Sequence, residues 1–116
     1  DRPDKGTGMI YEMRIYHCLP GKIGALNDRF ANTTLKLWER HGIHPVGFWT
    51  VLIGPTNNAL YYILQWDSLA DREKKWTAFS TDAEWVAARA KSEVNGPILE
   101  RVENTILTPT AFSKLR

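Results

Sequence analysis

The sequence contains a single cysteine, Cys18. No internal disulfide can form, so the fold must rest on a packed core. One unpaired thiol reads as a small buried residue at a strand end, in a reducing compartment. Long apolar runs are also missing: the longest, Ala59 to Leu64, falls far short of the roughly 20 residues that cross a bilayer. No charged-then-apolar signal segment opens the chain, and the expectation is a soluble, cytoplasmic protein with no membrane partner. Neither sign of charge is in clear excess, since 15 Lys and Arg stand against 13 Asp and Glu and are dispersed along the chain. The basic footprint that a phosphate backbone demands is absent, so nucleic acid is not an expected partner. There is no phosphate loop, no GxSxG elbow and no Cys/His constellation, so no cofactor and no metal is expected.

What the chain does contain fits one domain. At 116 residues it can bury roughly two-thirds of its unfolded surface. Asp1 to Gly8 (DRPDKGTG) mixes charge, proline and glycine with no apolar period and reads as a tail or expression remnant, leaving 9–116 as the domain and Met9 as a natural start. Met9 to His17 alternates as a strand, with Tyr11, Met13 and Ile15 on one face and Ile10, Glu12, Arg14 and Tyr16 on the other. Leu19-Pro20-Gly21 breaks it. Ile23, Leu26, Phe30, Leu37 and His41 then mark one amphipathic helix, ended by Gly42. A second strand is expected from Val46 to Ile53, and Gly54 to Asn58 turns it into a third, Ala59 to Asp67, whose Leu60, Tyr62, Leu64 and Trp66 suit a core. Ser68 with Asp71 caps a helix, and Thr81 with Glu84 restarts it, so Leu69 to Lys91 reads as two helical pieces. Ile98 to Leu107 alternates as a fourth strand.

Strand, helix, strand, strand, helix, strand in one small α+β domain predicts a ferredoxin-like split βαβ fold, a four-stranded antiparallel sheet with both helices on one face. The other face is left uncovered. With Ile10, Tyr16, Leu99 and Leu107 assigned to it, its exposure would be costly, and a second copy of the sheet is the expected cover. A homodimer follows.

Arg72 stands three residues after Leu69 and four before Trp76, on the helix's apolar stripe, where an arginine must be paired or wet. It could hold an anionic ligand group or tie the helix to the sheet. Glu12 and Arg14, with Arg101 and Glu103 on the fourth strand, are expected to share one face as a salt-bridged lining, with Glu12 as the alternative proton-transfer group. His41 and His44 straddle a helix end, a poor arrangement for a metal. Trp49, Tyr61, Tyr62, Trp66, Trp76, Phe79 and Trp85 could pack the core or line a pocket for a flat apolar molecule. The candidate pocket residues are therefore Glu12, Arg14, His41, Trp49, Tyr62, Trp66, Arg72 and Trp76.

The segment VLIGPTNNALYYILQWDSLADREKKW, the strand YEMRIY at Tyr11 to Tyr16, the PGK after it, DAEW at Asp82 to Trp85 and the ending ENTILTPTAFS together resemble the NIPSNAP family. The resemblance spans about Met9 to Ser113. It implies a dimeric α+β barrel, in which two ferredoxin-like sheets close face to face. The leading expectation for function is a homodimer that binds a small apolar or aromatic molecule between sheet and helices. The alternatives are a cofactor-free monooxygenase or isomerase of the same barrel type, and an interaction module without a ligand.

Overall fold

Alternation in the strands and three-four spacing in the helices give the expected element order. The computed structural model describes residues 8–115. The expected tail lies, Gly8 excepted, outside them. The elements are β1 (Ile10–Cys18), α1 (Ile23–Arg29), a π-helical segment (Phe30–Thr34), α2 (Leu35–His41), β2 (His44–Thr50), β3 (Ala59–Trp66), α3 (Leu69–Ser80), α4 (Ala83–Ser92) and β4 (Leu99–Leu107). The sheet is antiparallel throughout and runs β2-β3-β1-β4, the ferredoxin-like order.

Turn chemistry sets the entry to the first helix. Lys22 N–H donates to Leu19 O at 3.0 Å, with Pro20 and Gly21 between them and φ of +79° at Gly21. That is a type II turn, which needs glycine at its third position. The helix expected to run unbroken from Ile23 to His41 is instead interrupted by the π-helical turn. With more than four residues in that turn, the buried stripe passes through Leu26, Phe30, Thr34, Leu37 and Trp38 and leaves His41 half-buried. Thr34 Oγ1 donates to Arg29 O at 3.3 Å, five residues back. Gly42, in the left-handed region at φ +73°, closes α2, and Ile43 N–H donates to Trp38 O at 2.9 Å.

Strand β2 stops at Thr50, earlier than the apolar run to Ile53 suggests, because its last pairing, Thr50 with Leu60, already reaches the start of β3. Val51 to Asn58 is therefore a loop. Leu52 and Ile53 within it are 95% and 93% exposed. The second helical restart is capped by Asp82, whose carboxylate accepts from Glu84 N–H at 2.8 Å, and not by Thr81. Cys18 is buried, and burial raises its thiol above the ordinary range, which makes it a packing residue.

The core fills the space between the helices and β2, β3 and β1. Trp38, Tyr62, Leu64 and Trp66 are almost fully buried there, as are Leu26 and Leu37 from the first helical stretch. Aromatic rings meet mostly edge-on or tilted, with Phe30, Trp38, Phe48 and Tyr62 forming one continuous group. Arg29 is a buried cation that the sequence did not single out. It lies over the Trp85 ring at 5.3 Å and reaches Ser92 Oγ at 3.2 Å and Glu93 at 3.5 Å, tying α1 to α4.

Register overturns the expected assignment of the β1 faces. Glu12 pairs with Leu64 and Arg14 with Tyr62, so Glu12, Arg14 and Tyr16 lie on the helix-covered face with β3's buried residues. Ile10, Tyr16 and Leu99 belong to that side and not to the uncovered one. On β4, Arg101 pairs with His17 and Glu103 with Ile15. Those two charges therefore lie on the opposite face from Glu12 and Arg14, where Glu103 hydrogen-bonds His17 and Arg101. Leu107, opposite Tyr11, is on the uncovered face as expected.

Candidate functional site

Residues two apart on a strand share a face, so β1 presents Glu12, Arg14 and Tyr16 as a polar row beneath the helices. Strand β3 adds Tyr62 and Trp66, α3 adds Arg72 and Trp76, and β4 adds Asn104, which pairs with Arg14 across the ladder. Ser68 fixes the start of α3 by accepting from Asp71 N–H at 3.0 Å. One turn further on, Arg72 hangs over Glu12.

The Glu12 carboxylate is 0% exposed and accepts five hydrogen bonds. To Oε1 donate Trp66 Nε1 at 3.0 Å and Arg72 Nε at 2.8 Å. To Oε2 donate Arg14 Nη1 at 2.9 Å, Arg72 Nη2 at 3.0 Å and Asn104 Nδ2 at 3.0 Å. Burial by itself would raise the carboxyl's pKa. The hydrogen bonds from Arg72 and Asn104 and the charge of Arg14 outweigh it and hold the group at about 2. A carboxylate so saturated is a poor general base, because no lone pair is left to take a proton at neutral pH.

Arg14 commits all three nitrogens: Nη1 to Glu12, Nε to Tyr62 Oη at 2.7 Å and Nη2 to Tyr16 Oη at 3.2 Å. Its guanidinium carbon stands 4.6 Å from the Trp76 ring centroid and 5.4 Å from that of Tyr16. Burial opposes its charge, but the two tyrosines and Glu12 more than compensate and raise its pKa above the ordinary arginine value. Arg72 grips Glu12 bidentately and is more open, with 26% of its side chain exposed. Its pairing with Glu12 raises its pKa as well. Leu69, expected on the same stripe, is 61% exposed. The inward stripe of α3 thus starts at Arg72.

Six of the eight candidate residues come together: Glu12, Arg14, Tyr62, Trp66, Arg72 and Trp76. His41 lies elsewhere, hydrogen-bonded to Asp82 at 2.7 Å, and His44 is exposed on β2. Trp49, 51% exposed, is on the uncovered sheet face opposite Tyr61. There it helps line an open apolar groove of about 540 Å³ with Met13, Val51, Pro55, Tyr61 and Ile63. Tyr16 and Asn104 were not singled out. Asn104 could have been found as a lone amide between Val102 and Ile106, at alternate positions of a strand. Strand β4 is exposed from Glu100 to Leu107, and its helix-side face presents Val102 at 41% and Ile106 at 40% on either side of Asn104. The polar cluster therefore borders an apolar shelf that no helix among the described residues covers.

The family profile described as NIPSNAP matches residues 11–114. The chain belongs to the NIPSNAP family. It is 31% identical over 83 residues to mouse protein NipSnap homolog 3B, a stretch covering 72% of this chain and 33% of that protein, and 30% identical over the same length to human protein NipSnap homolog 3A. The chain thus spans about a third of these relatives. Among solved structures, a NIPSNAP family protein from Agrobacterium tumefaciens superposes with a TM-score of 0.83 at 29% identity, over 93% of this chain and 99% of the other. A NIPSNAP-like domain protein from Burkholderia xenovorans gives 0.80 at 25%, over 92% and 90%. A Caulobacter crescentus protein of the antibiotic biosynthesis monooxygenase type, at 10% identity and 0.59, shares the fold alone.

Proposed function

We propose that this NIPSNAP domain acts as a homodimer that binds a small molecule with an apolar body on the shelf between β4 and α3. The observation that carries the reading is the exposed helix-side face of β4, where Val102 and Ile106 flank Asn104 beside Arg14, Arg72 and Trp76. Apolar wall and a few convergent polar groups are the usual composition of a ligand site. The saturation of Glu12 favours binding over acid-base catalysis. A thermal-shift screen of small aromatic and aliphatic compounds tests it. A compound at a hundred times its dissociation constant stabilises by about 2.7 kcal/mol, a readily measured shift. At least one should raise the Tm of the wild type and fail to do so in Ile106→Glu. No shift in the wild type, or an equal shift in the variant, refutes the site.

The dimer is supported by the uncovered sheet face. Half-buried Met13, Ile15, Tyr61 and Ile63 and the more exposed Trp49 adjoin there as an apolar surface, the kind of feature that marks a contact site. A two-fold interface must be self-complementary. The groove on this face is walled in part by the highly exposed Leu52 and Ile53, so each copy could offer these side chains to the other's groove. A monomer in sedimentation at micromolar concentration would refute the assembly.

A further inference from the structure

We infer that the ligand of this shelf is an organic monoanion, an aromatic or aliphatic carboxylate whose charged end meets Arg72 and whose body lies on Val102, Ile106 and Trp76. The inference rests on the shelf being the binding site and adds the ligand's charge. Its first support is the local charge count. Two guanidinium groups, Arg14 and Arg72, share one carboxylate, Glu12, and this leaves one positive charge uncompensated in a largely desolvated setting. The other charges on α3 cancel: Asp71 pairs with Lys75 at 3.1 Å, and the exposed Glu73 and Lys74 carry opposite signs. One added negative charge neutralises the locus.

The second support is donor geometry. All three nitrogens of Arg14 and two of those of Arg72 are engaged. Among the described residues the Nη1 group of Arg72 has no partner, and it belongs to a side chain that is 26% exposed. It offers two N–H donors fixed in direction by the bidentate grip on Glu12, so little freedom is lost when an oxyanion takes them. The third support is the shelf's chemistry. Only the Asn104 amide interrupts its apolar floor, and that amide is oriented by donating to Glu12. An inorganic anion would gain nothing from Val102 and Ile106, whereas a carboxylate with an apolar body uses both ends of the site.

The test pairs several monocarboxylates with their neutral amides, 1-naphthoate with 1-naphthamide and octanoate with octanamide, and includes inorganic phosphate. Binding to the full chain is followed by backbone amide NMR, which also locates the site. At least one acid should bind tenfold or more tightly than its amide, shift the resonances of Val102 to Ile106, and outcompete phosphate. Arg72→Gln should erase the acid's advantage. Val102→Glu, which leaves the arginine cluster whole, should erase acid binding even if Arg72→Gln folds poorly. If no acid in the set exceeds its amide, or if phosphate binds as well as the acids, the inference is overturned. Amides that still bind at these residues would preserve the shelf as a site while removing its charge preference.

Discussion

Neutralising Glu12 is the most informative single perturbation of this fold. Glu12→Gln keeps the shape and two polar atoms but leaves Arg14 and Arg72 without their shared counter-charge, and one side-chain atom changes from acceptor to donor against two guanidinium groups. An ordinary glutamate titrates near 4.5, and the native environment holds this one at about 2. At about 1.36 kcal/mol for each tenfold change, that difference corresponds to roughly 3 kcal/mol of native-state stabilisation of the charged form. The same order, about 3–5 kcal/mol, follows from removing one partner of a buried pair. For a chain of this length it is about 12 °C in Tm. The sign of the pH dependence follows from the depressed value. Glu12's contribution is fully present above about 4.5 and is lost as pH falls towards 2. Denaturant unfolding at pH 7 and at stepwise lower pH should therefore show a wild-type advantage that narrows through this window. A gap under about 1 kcal/mol at pH 7, or one that does not change down to pH 2, would refute the account. A second arm isolates the charge: Arg14→Met should cost less in the Glu12→Gln background than alone, since contacting charges are non-additive.

Two further outcomes follow from local geometry. Ile53→Asp, at a 93% exposed position, should leave the monomer's stability unchanged and shift sedimentation from dimer towards monomer, and an unchanged dimer would remove this loop from the interface. Gly42→Ala should destabilise by about 1–2 kcal/mol in chemical denaturation, because φ of +73° is strained for any residue with a Cβ, although the nearest neighbour there is a flexible lysine end at 3.4 Å.

Much of the architecture was legible because each element carries a local signal. The strand break at Leu19-Pro20-Gly21, the Ser68 cap, the Gly42 terminator and the unbroken apolar alternation of Leu60 to Trp66 each depend on a few adjacent residues. What could not be read depends on pairings across the chain. Strand β1 is apolar on both sides, since Tyr11, Met13 and Ile15 compete with Ile10 and Tyr16. Hydrophobicity then favoured burying the face without charges. The structure buries the charged face instead, because Arg72, sixty residues away, and Asn104, ninety-two away, complete a shell of donors around Glu12. The π-helical turn was equally hidden. Nothing in Phe-Ala-Asn-Thr-Thr announces it, yet it exchanges His41 for Trp38 in the core.

Arg72 can now be placed between its two expected roles. Its bidentate bond to Glu12 makes it a tie between α3 and β1, and Trp66 and Asn104 extend the tie to both neighbouring strands. Structural economy alone does not explain the arrangement, since replacing buried ionic groups by well-packed apolar ones is often neutral or stabilising. Nor does the Glu12 carboxylate need two arginines, when Arg14 with Trp66 and Asn104 already supplies three donors. The surplus cation is also the more exposed one, and it borders β4, whose helix side is left open at Val102 and Ile106. A charge in excess of structural need, placed at the edge of an uncovered apolar strand, is what a site for a small anion requires, and the tie to Glu12 is what would hold that charge still.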